Sequence, residues 1–143
     1  MTLNISNLSL VNKNILIIED DVPSIRYYET ILLSTGASIK IFRTGEDFVK
    51  YSNQKDQVID LVIIDFLLPL INGIECTRIF RKERKNVPVL MITAYSSEQS
   101  KSEAFIAGCN EYILKPVYPE KILALLEKYL KQEVASAVSS RPV

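Results

Sequence analysis

Five times along this chain a short apolar run gives way to a segment of helical length. "NILII" (14–18), "DLVII" (60–64) and "VPVLMI" (87–92) are nearly continuous hydrophobic runs, and "ASIKIF" (37–42) and "EYIL" (111–114) are weaker ones. Buried parallel strands read this way because both faces of the sheet are covered. Their short length and β-branched content favour strands over helices. Between them, residues 24–34 carry Ile25, Tyr28, Ile31 and Leu32 with Gly36 as a stop, and residues 45–52 follow Thr44, a suitable N-cap. "GIECTRIFRKERK" (73–85) places Ile74, Thr77 or Arg78, and Phe80 near one side and ends in basic residues. A fourth helix over 97–108 follows Ser96 or Ser97 and stops at Gly108. The fifth, over 119–131, has Ile122, Leu125, Leu126, Tyr129 and Leu130 in one stripe. Five strand–helix pairs predict an α/β domain, doubly wound, with a parallel sheet between two helical layers.

The domain is expected over residues 13–131, preceded by an N-terminal extension (1–12) and followed by a flexible tail (132–143). That tail, "QEVASAVSSRPV", is small and polar and has no stripe. Seventeen basic residues balance seventeen acidic ones, so no electrostatic drive toward nucleic acid or a membrane surface is expected. No apolar stretch is long enough to cross a bilayer, and the first residues make a poor signal peptide. Cys76 and Cys109 are too few for a disulfide framework and read as free thiols of a cytoplasmic protein. Histidine is absent, which removes the commonest catalytic base and zinc ligand.

In an open parallel sheet, sites form at the carboxyl ends of the strands. Glu19, Asp20 and Asp21 follow the first strand, Asp65 the third, Thr93 the fourth and Lys115 the fifth. The fold therefore predicts carboxylates, a hydroxyl and an ammonium in one shallow pocket. Two carboxylates about 4 Å apart repel by about 4 kcal/mol at an effective dielectric near 20, and a bound cation makes that crowding useful. Oxygen ligands without His or Cys suit Mg²⁺, which takes one or two carboxylates and completes its shell with water and phosphate oxygens. Lys115 then suits a phosphoryl oxygen, Thr93 another, and Asp65 the role of nucleophile. Asp21 reads more naturally as the N-cap of the first helix.

"IIEDD" (17–21), "DLVIIDFLLPLINGIE" (60–75), "PVLMITAY" (88–95) and "GCNEYILKP" (108–116) together resemble the receiver domain of two-component response regulators. The resemblance spans about residues 13–131. It implies a flavodoxin-like (βα)5 fold with strand order 2-1-3-4-5. It implies that Glu19 and Asp20 hold Mg²⁺ with Asp65 and the backbone carbonyl of Leu67. Asp65 would be the phosphoacceptor, and Thr93 and Lys115 would bind the phosphoryl group. Tyr112 would be a switch aromatic coupled to Thr93, and Lys115–Pro116 a cis peptide bond. Leu67, Ala94 and Tyr95 occupy tuning positions. Leu68 stands where many relatives have Met, and Glu19 where many have Asp.

The implied partner is a histidine kinase or phosphotransfer domain. A homodimer through the face of the fourth helix, fifth strand and fifth helix is compatible with the family. "VPSIRYYETIL" resembles receivers of hybrid histidine kinases, and "KPV" lacks the Phe of the winged-helix regulators, so a hybrid-kinase module is the favoured context. The alternatives are a stand-alone single-domain regulator and a degenerate receiver that only binds partners. A flavodoxin-type binder is disfavoured because "EDDVPS" repels phosphate. A related phosphatase would need a second acid at Leu67. Beyond self-phosphorylation and autodephosphorylation, no independent enzyme activity is expected.

Overall fold

The computed structural model describes residues 8–131. The expected tail, residues 132–143, lies outside them. Within this range β1 (Asn14–Ile18), α1 (Val22–Leu33), β2 (Ser38–Phe42), α2 (Gly45–Ser52) and β3 (Leu61–Ile64) alternate in chain order. They are followed by α3 (Gly73–Glu83), β4 (Val89–Thr93), α4 (Glu98–Ala107), β5 (Glu111–Leu114) and α5 (Pro119–Leu130). All five strands pair in parallel in the order β2-β1-β3-β4-β5, which is the doubly wound, flavodoxin-like arrangement.

Side chains alternate across each strand, so the sheet feeds two cores. Ile15, Ile17, Leu61, Ile63, Leu90 and Ile92 pack with Tyr28 and Leu32 of α1 and with Ile122 and Leu126 of α5. Leu16, Ile18, Val62, Ile64 and Met91 face the other way, against Phe48, Ile74, Phe80 and Ala104. Each buried aliphatic or aromatic side chain contributes about 1.5–3 kcal/mol. The outer strand β2 is only partly covered, and its sequence alternates instead of running apolar.

Local chemistry sets the helix ends. Asp21, Thr44, Asn72 and Ser97 each accept a hydrogen bond from the backbone N–H three residues on. Asp21 thus caps α1, and Pro23 in the first turn lets that helix start two residues earlier than its apolar stripe alone predicts. On α3 it is Thr77 that turns inward, while Arg78 stays exposed. Gly108 ends α4 at φ +116°, a left-handed conformation that glycine adopts without a steric penalty.

The segment just before β1 is packed onto the domain. Leu8 and Leu10 are buried in the core formed by α1 and α5, and Leu10 N–H donates to the Thr35 carbonyl at 2.7 Å. Residues 8–12 thus contribute two core side chains where an extension was expected. Without periodicity, two leucines in a polar context carry no local sign of burial.

Candidate phosphoacceptor site

The sheet register carries the strand-end residues to one edge. Ile18 pairs with Ile64, so Glu19 and Asp65 leave adjacent strands at the same level. Asp65 N–H donates to the Ile18 carbonyl at 3.1 Å, which holds the two loops together. Thr93 is the last residue of β4, and its partner on β5 is Leu114, the residue before Lys115. β1 and β5 stand three strands apart, roughly 14 Å at the usual strand spacing. The long side chains of Glu19 and Lys115 close that gap: Lys115 Nζ donates to Glu19 Oε1 at 2.7 Å. The same ammonium reaches Asp65 Oδ2 at 3.4 Å and Ser24 Oγ at 3.2 Å.

Glu19 is 1% exposed and Asp65 7%. Burial pushes the Glu19 carboxyl above the ordinary carboxylate range; the Lys115 hydrogen bond pulls it back only in part, and the nearby Asp65 adds to the rise. Burial also pulls the Lys115 ammonium down, but the hydrogen bond to Glu19 and the charges of Glu19 and Asp65 outweigh it, so Lys115 ends above its usual value. Two carboxyl groups of formal charge −1 share one ammonium, with Asp20 exposed beside them. Among the described residues no three or more His, Cys, Asp or Glu side chains gather into a cage that could hold a metal ion. Mg²⁺ needs no such cage, because it keeps waters and takes one or two carboxylates. An open, oxygen-only donor set with excess negative charge fits it.

The remaining predicted residues take distinct places. Thr93 is fully buried, and its Oγ1 accepts from Tyr95 N–H at 3.2 Å. Leu67 N–H donates to Asp65 Oδ1 at 3.2 Å, while the Leu67 side chain is half exposed. Ala94 is exposed. The Tyr95 ring lies against Phe66, with centroids 5.2 Å apart. Tyr112 donates its phenol to the Tyr95 carbonyl at 2.8 Å, tying β5 to the loop after β4. The Lys115–Pro116 peptide bond is cis. Asp21 caps α1 through Ser24, and its own N–H donates to Glu19 Oε2 at 3.2 Å, at the margin of the Glu19–Lys115–Asp65 cluster.

Three contributions were not legible from spacing. Phe66 is the stacking partner of Tyr95; its place beside Asp65 was a signal, but the contact was not. Ser24 meets Lys115 across 91 positions of sequence. Gly73 sits so close to the Asp65 backbone that a Cβ would lie 2.2 Å from the Asp65 carbonyl oxygen, and its N–H donates to the Phe66 carbonyl at 2.9 Å. A side chain there would displace the chain at Asp65, just past the end of β3. Beside the cluster, a cavity of about 510 Å³ opens between α1 and the loop after β5, lined by Pro23, Tyr27, Pro116, Val117 and Tyr118 among others.

The response regulator receiver domain family matches residues 15–127. The chain belongs to that family. It is a receiver domain of two-component signalling. It is 34% identical to an uncharacterised transcriptional regulatory protein, YrkP, of Bacillus subtilis, over 80% of this chain and 50% of that protein. It is 24% identical to hybrid signal transduction histidine kinase I of Dictyostelium discoideum, over 94% of this chain and 8% of the kinase. The receiver thus spans about half or less of these curated relatives. Among solved structures, a CheY-like receiver protein of Methanospirillum hungatei matches with a TM-score of 0.79 and 27% identity, covering 87% of this chain and 98% of that one. The receiver domain of a sensor histidine kinase of Pseudomonas aeruginosa, solved with magnesium coordinated in its active-site cleft, matches with a TM-score of 0.75 and 25% identity, covering 83% and 98%. Among the described residues of this receiver, no helix is long and apolar enough to cross a membrane.

Proposed function

We propose that this receiver takes a phosphoryl group from a phosphohistidine onto Asp65 and changes its surface in response. The observation that carries the reading is the Lys115 ammonium held 2.7 Å from Glu19 and 3.4 Å from Asp65 at the carboxyl edge of the sheet. An Asp65 carboxylate oxygen attacks phosphorus, the phosphorus–nitrogen bond breaks, and the imidazole leaves with the electron pair. Lys115 binds one phosphoryl oxygen and the Thr93 hydroxyl another. Glu19, Asp20, Asp65 and the Leu67 carbonyl would hold Mg²⁺, which when bound neutralises charge on the phosphoryl oxygens. As Thr93 turns toward the phosphoryl group it releases Tyr95 N–H, and the Tyr112–Tyr95 tie carries that change to the face of α4, β5 and α5.

A phosphohistidine donor, a histidine kinase or phosphotransfer domain, has an apolar approach beside Lys115 in the cavity lined by Pro23, Tyr27 and Val117. The hybrid kinase relative, aligned over 94% of this chain, supports a place within a hybrid sensor histidine kinase. Leu67 and Tyr95 offer no carboxylate or amide to orient a water, so the acyl phosphate is long-lived. Loss of phosphate within seconds would overturn that point.

The test is intact mass after incubation with acetyl phosphate, with and without Mg²⁺, beside Asp65→Asn. One added phosphoryl group that requires both Mg²⁺ and Asp65 is expected. An adduct that persists in Asp65→Asn would place the acceptor elsewhere.

A further inference from the structure

We propose that Ser24 is a positioning residue for Lys115, with Asp21 behind it fixing the direction of its hydroxyl. The proposal rests on the phosphoacceptor reading for its consequence but not for its geometry. Lys115 Nζ has three hydrogens and three acceptors: Glu19 Oε1 at 2.7 Å, Ser24 Oγ at 3.2 Å and Asp65 Oδ2 at 3.4 Å. An ammonium only donates, so Ser24 Oγ must accept from it. The single Ser24 proton then goes to Asp21 Oδ2, 2.7 Å away. The chain of donors runs one way, from Lys115 through Ser24 to Asp21. The Lys115 charge in turn helps hold the Asp21 carboxyl below its usual range, after the two Ser24 hydrogen bonds that act first.

Of the three acceptors, Ser24 alone is uncommitted to the reaction. Mg²⁺ would draw on Glu19, and Asp65 would be converted to the acyl phosphate. Ser24 would keep its contact throughout. It would hold Nζ at the wall of the pocket while the other two partners are exchanged for a phosphoryl oxygen. Helix capping does not explain the hydroxyl, because Asp21 already accepts from the Ser24 backbone N–H at 3.0 Å. Ser24→Ala keeps that backbone bond and so keeps the helix start. Ser24 also borders the cavity beside α1, which leaves room for the methyl group of threonine.

The experiment compares wild type, Ser24→Ala and Ser24→Thr by two readouts. The first is the Lys115 side-chain NMR signal in lysine labelled with ¹³C at Cε, without Mg²⁺, assigned with Lys115→Arg. Ser24→Ala should shift it toward the position of a mobile surface lysine, and Ser24→Thr should restore it. The second is the rate of phosphoryl uptake from acetyl phosphate at saturating Mg²⁺. Ser24→Ala should be about five- to tenfold slower, the effect of one hydrogen bond of ordinary net strength, and Ser24→Thr close to wild type. A Lys115 signal unmoved in Ser24→Ala overturns the proposal, whatever the rate. A moved signal with an unchanged uptake rate overturns the positioning role. If wild type takes up no phosphoryl group, the phosphoacceptor reading falls, and the NMR comparison still decides whether Ser24 anchors Lys115.

Discussion

The two ends of the sheet use charge in opposite ways. At the amino edge, arginines face backbone carbonyls. Arg81 donates to the carbonyls of Gly108, Arg84 and Val87 and to Asn110 Oδ1, at 2.6–2.9 Å. Arg84 donates to the carbonyls of Gln57, Ser52 and Gln54 at 2.8–3.3 Å. Asp60 and Asn110 cap the first N–H of β1 and β4. These groups close the loops that enter β3, β4 and β5. At the carboxyl edge it is the buried charges that face each other instead, while exposed Arg43 donates to the Asp20 carbonyl. Glu19 and Asp65 share Lys115, and the loops around them carry half or fully exposed Leu67, Leu70 and Tyr95. Charge spent on carbonyls makes a rigid base. Charge left facing charge makes a place where an ion or a phosphoryl group lowers the energy.

The sharpest break in that comparison is Asp65→Asn, which should abolish phosphoryl uptake entirely while the protein still unfolds cooperatively in urea, as followed by circular dichroism. Arg81→Met should do the reverse. It strips three backbone carbonyls of their arginine donor and takes one of two donors from Asn110 Oδ1, and should cost about 3 kcal/mol of stability, read from the urea midpoint, with uptake at Asp65 retained. A loss of well under 1 kcal/mol would mean that the amino edge is not held by its arginine.

Lys115→Met tests the carboxyl edge by the same measurement. Without divalent cation it should lose about 3 kcal/mol, because two buried carboxyls lose the ammonium between them. Millimolar Mg²⁺ should return most of that. Equal loss with and without Mg²⁺ would count against these carboxyls as its ligands.

The smallest effect is in pH. Glu111, at the start of β5, is desolvated, yet hydrogen bonds from Tyr129 and Lys128 carry its carboxyl below the ordinary value, whereas burial carries Glu19 above it. The linkage signs are therefore opposite. The Glu19 contribution to stability is present below the ordinary Glu value and fades as pH rises through its raised pKa. The Glu111 contribution is present above the ordinary value and fades as pH falls through its lowered pKa. Carboxyl ¹³C titrations in Mg²⁺-free buffer should place the two midpoints on either side of the usual range. Coincident midpoints would erase this part of the contrast.

Much of the carboxyl edge is legible in the sequence. Glu19, Asp65, Thr93 and Lys115 follow apolar runs directly, so their position needs only the rule that parallel strands end on one side. The amino edge is not. Arg81 and Arg84 stand in the sequence as the basic end of a helix, and that description holds equally for arginines that touch nothing. The Leu8 and Leu10 contacts are also silent, because burial of a non-periodic segment depends on what lies opposite it.

By itself the sequence determined the five strands, the caps at Asp21 and Thr44 and the residues at the strand ends. These follow from local periodicity and from hydrogen bonds that span three or four residues. Only the tertiary structure decided who meets whom. Lys115 reaches Glu19 across 96 positions and Ser24 across 91, and Arg81 reaches Gly108 across 27. Those pairings depend on strand order, register and side-chain length acting together in three dimensions. No local pattern encodes that sum.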